Sequence, residues 1–204
     1  METLNKNELK VLDLFRKNIF LKSSIREITG KIKSKSYQRV YEAIESLEKR
    51  QILNSEKMGN TNLISLKMSR NTFLTLSFLD EQETENIPNA QKIIALKEIT
   101  DYLILVTGSY AKGNANKKSD MDLVIIIPDK EDVVHIQKLS ENLTTLFIPE
   151  IHLYVFRKKD FIEMLKDKKE TYGKEIFRNH ILLKNAQIYY ELINEAIEHG
   201  FRNK

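Results

Sequence analysis

Gly108-Ser109-Tyr110-Ala111-Lys112-Gly113-Asn114-Ala115-Asn116-Lys117-Lys118-Ser119-Asp120-Met121-Asp122-Leu123 is the stretch on which the fold turns. An apolar run, Tyr102-Leu103-Ile104-Leu105-Val106, leads into it. A second run, Val124-Ile125-Ile126-Ile127, leads out and stops at Pro128. Continuous apolar runs of this length read as strands buried on both faces. The chain therefore enters Gly108 from one buried strand, passes a loop of small residues with a short helix, and opens a second strand with Asp-x-Asp. Gly108 lets the backbone approach a phosphate closely. Ser109 offers a hydroxyl, and the amides after it lie where a helix N-terminus favours anions. Asp120 and Asp122, two apart on a strand, leave the same face. Two adjacent carboxylates repel unless a cation lies between them, and hard oxygen donors suit Mg²⁺, which also binds triphosphate oxygens. The loop has no Gly-Lys-Ser/Thr and so is no Walker A loop.

Gly108-Ser109, then Ala111, Gly113, Ser119, Asp120 and Asp122 before an apolar strand, resembles the Gly-Ser-x-Ala-x-Gly…Ser-Asp-x-Asp-Leu signature of the DNA polymerase β-like nucleotidyltransferases, in particular their minimal branch. The resemblance spans residues 102–156. It implies an α/β (α+β) fold with a mixed sheet flanked by helices. It implies ATP, or another nucleoside triphosphate, as substrate and Mg²⁺ as cofactor. Gly108 and Ser109 match the nucleotide-phosphate positions, with Lys112 and Ser119 beside them in the loop. Asp120 and Asp122 match the first two metal ligands. The third carboxylate is expected on a later strand, here Ile148 to Phe156. Glu150 is the only acid on that strand and takes the position. His152, on the same strand face, is the alternative. Asp120, Asp122 and Glu150 are then the expected catalytic and metal-holding residues.

Working outward from this region, the chain alternates. Ile93, Ile94, Leu96 and Lys97 fit a helix ending near Thr100. Glu131 to Thr145, Asp160 to Lys169, Lys174 to Asn179 and Ala186 to His199 read as helices. Tyr172 to Leu183 is similar to the end of the minimal nucleotidyltransferases, where a helix leads into a final short strand. Residues 91–204 form the expected nucleotidyltransferase domain. Residues 69–90 form a connector in which Phe73, Leu74, Leu76, Phe78 and Leu79 are too apolar to hang free.

The first 68 residues have a different pattern. Leu4, Val11, Leu12, Phe15 and Ile19 recur at helical spacing. Ser24-Ile25-Arg26-Glu27 is a capping box that starts a second helix. Ser34 or Ser36 caps a third, whose stripe is Tyr37, Val40, Ile44 and Leu47. Ile52 to Lys57 and Asn62 to Lys67 flank a turn at Gly59-Asn60, a hairpin signal. Two helices, a turn, a third helix and a hairpin resemble a winged helix-turn-helix domain. In that motif the first turns of the recognition helix meet base edges. Ser36, Gln38 and Arg39 have the chemistry to do so, with Lys35 and wing residue Lys57 as phosphate contacts.

Charge agrees with this division. The 204 residues carry a formal charge of +4, but residues 1–78 hold 15 Lys+Arg against 8 Asp+Glu, while residues 79–204 hold 18 against 21. A basic front suits double-stranded DNA. The absence of Cys excludes disulfides and thiolate metal sites. Neither a membrane-crossing run nor an apolar signal segment is found, so the expectation is a cytoplasmic protein. Helix one or the 68–86 segment is a surface on which a homodimer would form. The acceptor of the nucleotidyl group is a protein, a nucleic-acid end or a small molecule. The competing reading is a DNA-binding regulator whose nucleotidyltransferase domain senses nucleotide without turnover.

Overall fold

A computed structural model describes residues 3–202. The chain divides between Leu76 and Ser77 into two compact units.

The first unit opens with α1 (Lys6–Lys17), capped by Asn5, whose side chain accepts from the amides of Asn7 and Glu8. This helix is shorter than its apolar spacing suggests, because Leu4 lies before the cap and Ile19 after the end. A short strand, β1 (Lys22–Ser24), precedes α2 (Ile25–Lys31). Ser24 and Glu27 close the expected capping box. Ser36, not Ser34, caps α3 (Tyr37–Lys49) by accepting from the amide of Arg39. The hairpin is β2 (Leu53–Met58) and β3 (Thr61–Leu66), turning at Gly59 with φ +59°. β3 lies between β1 and β2 in a three-stranded antiparallel sheet. β1 escapes the sequence because three residues, Lys22-Ser23-Ser24, carry no apolar alternation. It exists because its backbone pairs with Leu63–Ser65 of β3.

Val11, Leu12 and Phe15 of α1, Ile28 of α2, and Val40, Ile44 and Leu47 of α3 are buried. Burying one such side chain fully contributes roughly 1.5–3 kcal/mol. Tyr37 departs from its predicted stripe and is 51% exposed. It is the first residue of α3, at the end of the stripe.

The stretch read as a packed connector contains helix α4 (Arg70–Glu81) and a 3₁₀ turn at Gln82–Asn86. Phe73 and Leu76 are buried there, as its apolar character requires, while Phe78 is exposed. The second unit continues through α5 (Ala90–Ile94) and a 3₁₀ turn at Lys97–Ile99, where one longer helix was expected. Then come β4 (Leu103–Thr107), α6 (Gly108–Ala111), β5 (Met121–Ile127) and α7 (Val133–Thr144). β6 (Ile151–Arg157), α8 (Lys158–Lys166), α9 (Tyr172–Arg178), β7 (Ile181–Lys184) and α10 (Ala186–Glu198) complete it. β6 starts three residues later than its apolar pattern suggests. Pro149 has no N–H to give to a ladder, and Ile148 is exposed.

The sheet order is β6-β5-β4-β7. β5 and β6 run parallel; β4 is antiparallel to both β5 and β7. This is the mixed sheet flanked by helices that the resemblance implied. One face buries Ile104 and Val106 of β4 and Leu123, Ile125 and Ile127 of β5, together with Ile93, Ile99 and Ile136 from the helices. The other face buries Leu103, Leu105, Val124 and Ile126, beneath α8 and α10. That second face ends, at the Thr107 end of β4 and the start of β5, in polar side chains.

Among the described residues, no helix is long and apolar enough to cross a membrane.

Candidate functional site

Antiparallel pairing of β4 with β5 sets Thr107 opposite Asp122. The next residue, Gly108, has φ +66°, and a Cβ placed on it would overlap Asp122 Oδ2. The turn therefore needs glycine for two reasons, its left-handed backbone and the carboxylate pressed against it. Thr107 is buried and donates its hydroxyl to the carbonyl of Asn179 at 2.7 Å, which ties the strand end to the residue after α9. From Gly108 the chain makes the single turn of α6, whose first amides have no intrahelical acceptor. The amides of Lys112 and Asn114 close the turn onto the carbonyls of Gly108 and Ser109.

Asp120 precedes β5 and Asp122 is its second residue, so both carboxylates emerge on the Thr107 face. The third residue beside them is His152. Parallel pairing of β5 with β6 sets it directly next to Asp122. Its Nε2 lies 3.6 Å from Asp120 Oδ2, and its Nδ1 lies 3.8 Å from Asp122 Oδ1. Glu150, the acid expected in this role, stands one residue before β6 with an exposed side chain. Its backbone carbonyl accepts from the amide of Met121 at 2.8 Å. The structure thus brings His152, rather than Glu150, to the two aspartates. Period-two alternation along the strand was the signal that pointed to either residue. The register selected between them, and no single sequence shows a register.

Burial pushes the Asp122 carboxyl above its ordinary value. His152 and Lys112 oppose that shift, while Asp120 and Glu175 add to it. Glu175 carries no sequence signal of its own. It reaches the site from α9, where its Oε1 pairs with Lys112 Nζ at 2.8 Å. Lys112, expected to meet phosphate, is thus engaged across the loop by an acid. On the same helix, Tyr172 packs its ring against Tyr154 at 4.9 Å and Phe156 at 6.1 Å, both on the His152 face of β6. Burial first, and Asp122 next, push the Tyr172 hydroxyl far above its ordinary value. Ser119, expected beside the nucleotide, accepts from the amide of Asn116 at 2.9 Å and so closes its own loop.

Two adjacent carboxylates with a glycine turn behind them fit one Mg²⁺ whose remaining ligands are water and phosphate oxygens. Among the described residues, no group of three or more His, Asp or Glu side chains could hold a metal ion unaided. A cation here would depend on the oxygens of its ligand.

In the first unit, Lys35, Gln38, Arg39 and Lys57 are exposed and Ser36 half-buried. Gln38 donates to Glu42 at 3.0 Å, one turn further along α3. Arg26, Thr29, Ser34, Lys35 and Tyr37 line a shallow groove at the start of α3. Lys57 lies on β2, opposite Asn62 and next to the hairpin turn.

Residues 90–183 match the family model described as nucleotidyltransferase domain. No curated protein matches the chain. Two solved structures do. One is a crystal structure of a toxin–antitoxin with AMP-PNP, at 20% identity, covering 54% of this chain and 86% of that one with a TM-score of 0.40. The other is TrmBL2, an archaeal chromatin protein described as showing a novel mode of DNA binding, at 12% identity, covering 96% and 92% with a TM-score of 0.29.

Proposed function

We propose that this chain is a Mg²⁺-dependent nucleotidyltransferase that moves AMP from ATP to an acceptor, and that its first unit is a winged helix that binds double-stranded DNA. The observation that carries the first half is the packing of Asp122 against Gly108, with Asp120 alongside, inside the region that matches the nucleotidyltransferase domain. The turn after β4 receives the triphosphate: Gly108 lets it approach the backbone, and the first amides of α6 and the Ser109 hydroxyl meet its oxygens. Asp120 and Asp122 hold the cation that accompanies it. When bound, Mg²⁺ neutralises charge on the α-phosphate and the departing pyrophosphate. The acceptor oxygen would bond to the α-phosphorus and lose its proton to water, while the bond from the α-phosphorus to the oxygen bridging the α- and β-phosphates breaks and pyrophosphate leaves. Lys112 reaches phosphate only by leaving Glu175.

The order helix, strand, helix, helix, hairpin, with β1 added to the hairpin sheet, is the winged-helix arrangement, and it supports the second half. So does the surplus of Lys+Arg in residues 1–78. Ser36, Gln38 and Arg39 open α3, the helix that would enter the major groove, and Lys35 and Lys57 flank it.

Incubation with α-labelled ATP, Mg²⁺ and candidate acceptors (proteins, nucleic-acid ends, small molecules) tests the transfer. Label should pass to an acceptor with the wild type and to none with Asp120→Ala/Asp122→Ala. Retention of nucleotide by the wild type without transfer to any acceptor would leave the second reading, a DNA-binding regulator that senses nucleotide. His152 in place of a further acid favours that reading.

A further inference from the structure

We infer that the aspartate site holds a single divalent cation and that His152 sets this limit; the inference rests on the nucleotidyl-transfer reading above. Two divalent cations acting on one phosphoryl centre sit about 3.5–4 Å apart and need anionic oxygens for each. Mg²⁺ takes oxygen ligands in a near-octahedral set. Asp120 and Asp122 supply two carboxylates, and triphosphate oxygens and water complete one such set. A second ion would need another acid beside the pair. The position beside Asp122 on the next strand belongs to His152, and its ring lies along both carboxylates, at 3.6 Å from one and 3.8 Å from the other. An imidazole brings one nitrogen donor, no negative charge and a poor match to a hard cation.

The other acids near the site do not take that place. Glu175 comes from α9 rather than from the sheet and is engaged with Lys112 at 2.8 Å. Glu150 lies before the strand with its side chain exposed. The acceptor half of the site is therefore free of metal, and the one cation travels with the nucleotide. His152 is itself 52% exposed, so exchanging it does not open the core.

The test counts Mn²⁺ by electron paramagnetic resonance on the full chain saturated with α,β-methylene-ATP, an analogue that cannot release pyrophosphate. Wild type and His152→Asn should each bind one Mn²⁺ per bound nucleotide, with the spectrum of an isolated ion. His152→Asp restores an acid and should bind a second Mn²⁺, with the line broadening of two close spins. Far-UV circular dichroism matching the wild type confirms that each variant is folded. Two coupled ions in the wild type, or a single ion in a folded His152→Asp, overturn this inference alone. Asp122→Asn should lose the ion. If it binds Mn²⁺ and nucleotide as the wild type does, both the transfer reading and this inference fall.

Discussion

The carboxylate of Asp122 occupies the space that any side chain at Gly108 would need. A Cβ there would overlap Oδ2 and approach Cγ to 3.1 Å. The two residues are fourteen apart in sequence and are brought together by the β4–β5 ladder, in which Thr107 and Asp122 are partners. Glycine and aspartate are thus one unit: the turn that would carry phosphate and the acid that would carry its counter-ion share the same few ångströms. Attraction between them needs an intervening cation, and the turn keeps them close enough for one to serve both.

Gly108→Ala should therefore remove nucleotide binding without unfolding the chain. The left-handed backbone alone costs a residue with a Cβ about 1–2 kcal/mol. The overlap adds to this and is relieved only if Asp122 swings away. Loss of Mn²⁺–nucleotide binding, read by calorimetry, should exceed the loss expected from the melting shift. Equal binding in the alanine variant would show that Asp122 does not need its present position.

A buried pair predicts a different response. Tyr190 donates its hydroxyl to Asp80 at 2.5 Å, and both residues are buried. Tyr190→Phe keeps the ring and takes one donor from a buried carboxylate. Losing one partner of such a bond costs about 1–3 kcal/mol. Denaturant unfolding should show that loss, with label transfer at permissive temperature unchanged. A variant as stable as the wild type would mean that Asp80 is satisfied without Tyr190.

Much of this architecture is legible in the sequence, and the reasons differ by element. β5 announces itself because six of its seven residues are apolar and buried, with Asp122 the one polar exception. α2 announces itself because Ser24 and Glu27 are the two halves of one capping box. β1 does not, since its pairing with β3 uses backbone groups that every residue has. At the site, Gly108, Asp120 and Asp122 are legible because they lie on one continuous stretch. His152 and Glu175 are not fixed by any spacing: the first is selected by the β5–β6 register, the second by how α9 lies against the loop. Tyr37 misleads because it holds the stripe's spacing yet stands half exposed at the first position of α3.

The winged-helix reading makes a separable prediction. Arg39→Ala, at the first turn of α3, should weaken binding to the preferred duplex by about 1–3 kcal/mol and relax sequence choice. Lys57→Ala should weaken binding to all duplexes alike and lower the slope of log affinity against log salt by about one. Fluorescence anisotropy across a salt series distinguishes the two. Affinity that is unchanged by either variant and insensitive to salt would assign this unit to protein docking instead.

Two glutamates in the first unit should shift its stability with pH in opposite directions. Glu27 is held below its ordinary value of 4.5, first by the amide of Ser24 and then by the hydroxyls of Ser23 and Ser24. Its folded form prefers the charged state. That contribution is complete above the unfolded pKa and disappears as pH falls through the lower, folded one. Glu48 is held above 4.5, first by burial and then by the charge of Glu45. Its folded form prefers the proton, so its ionisation opposes folding at neutral pH, and the penalty is removed as pH falls through the folded pKa toward the unfolded one. Glu27→Gln should therefore lower the melting temperature at neutral pH and have a shrinking effect on acidification. Glu48→Gln should raise it at neutral pH, with an effect that also shrinks in acid. Melting curves of the two variants against wild type from neutral pH down to about pH 3 check both signs. The same sign for both variants at neutral pH would contradict the assignment of one carboxylate to a cap and the other to a partly desolvated helix face.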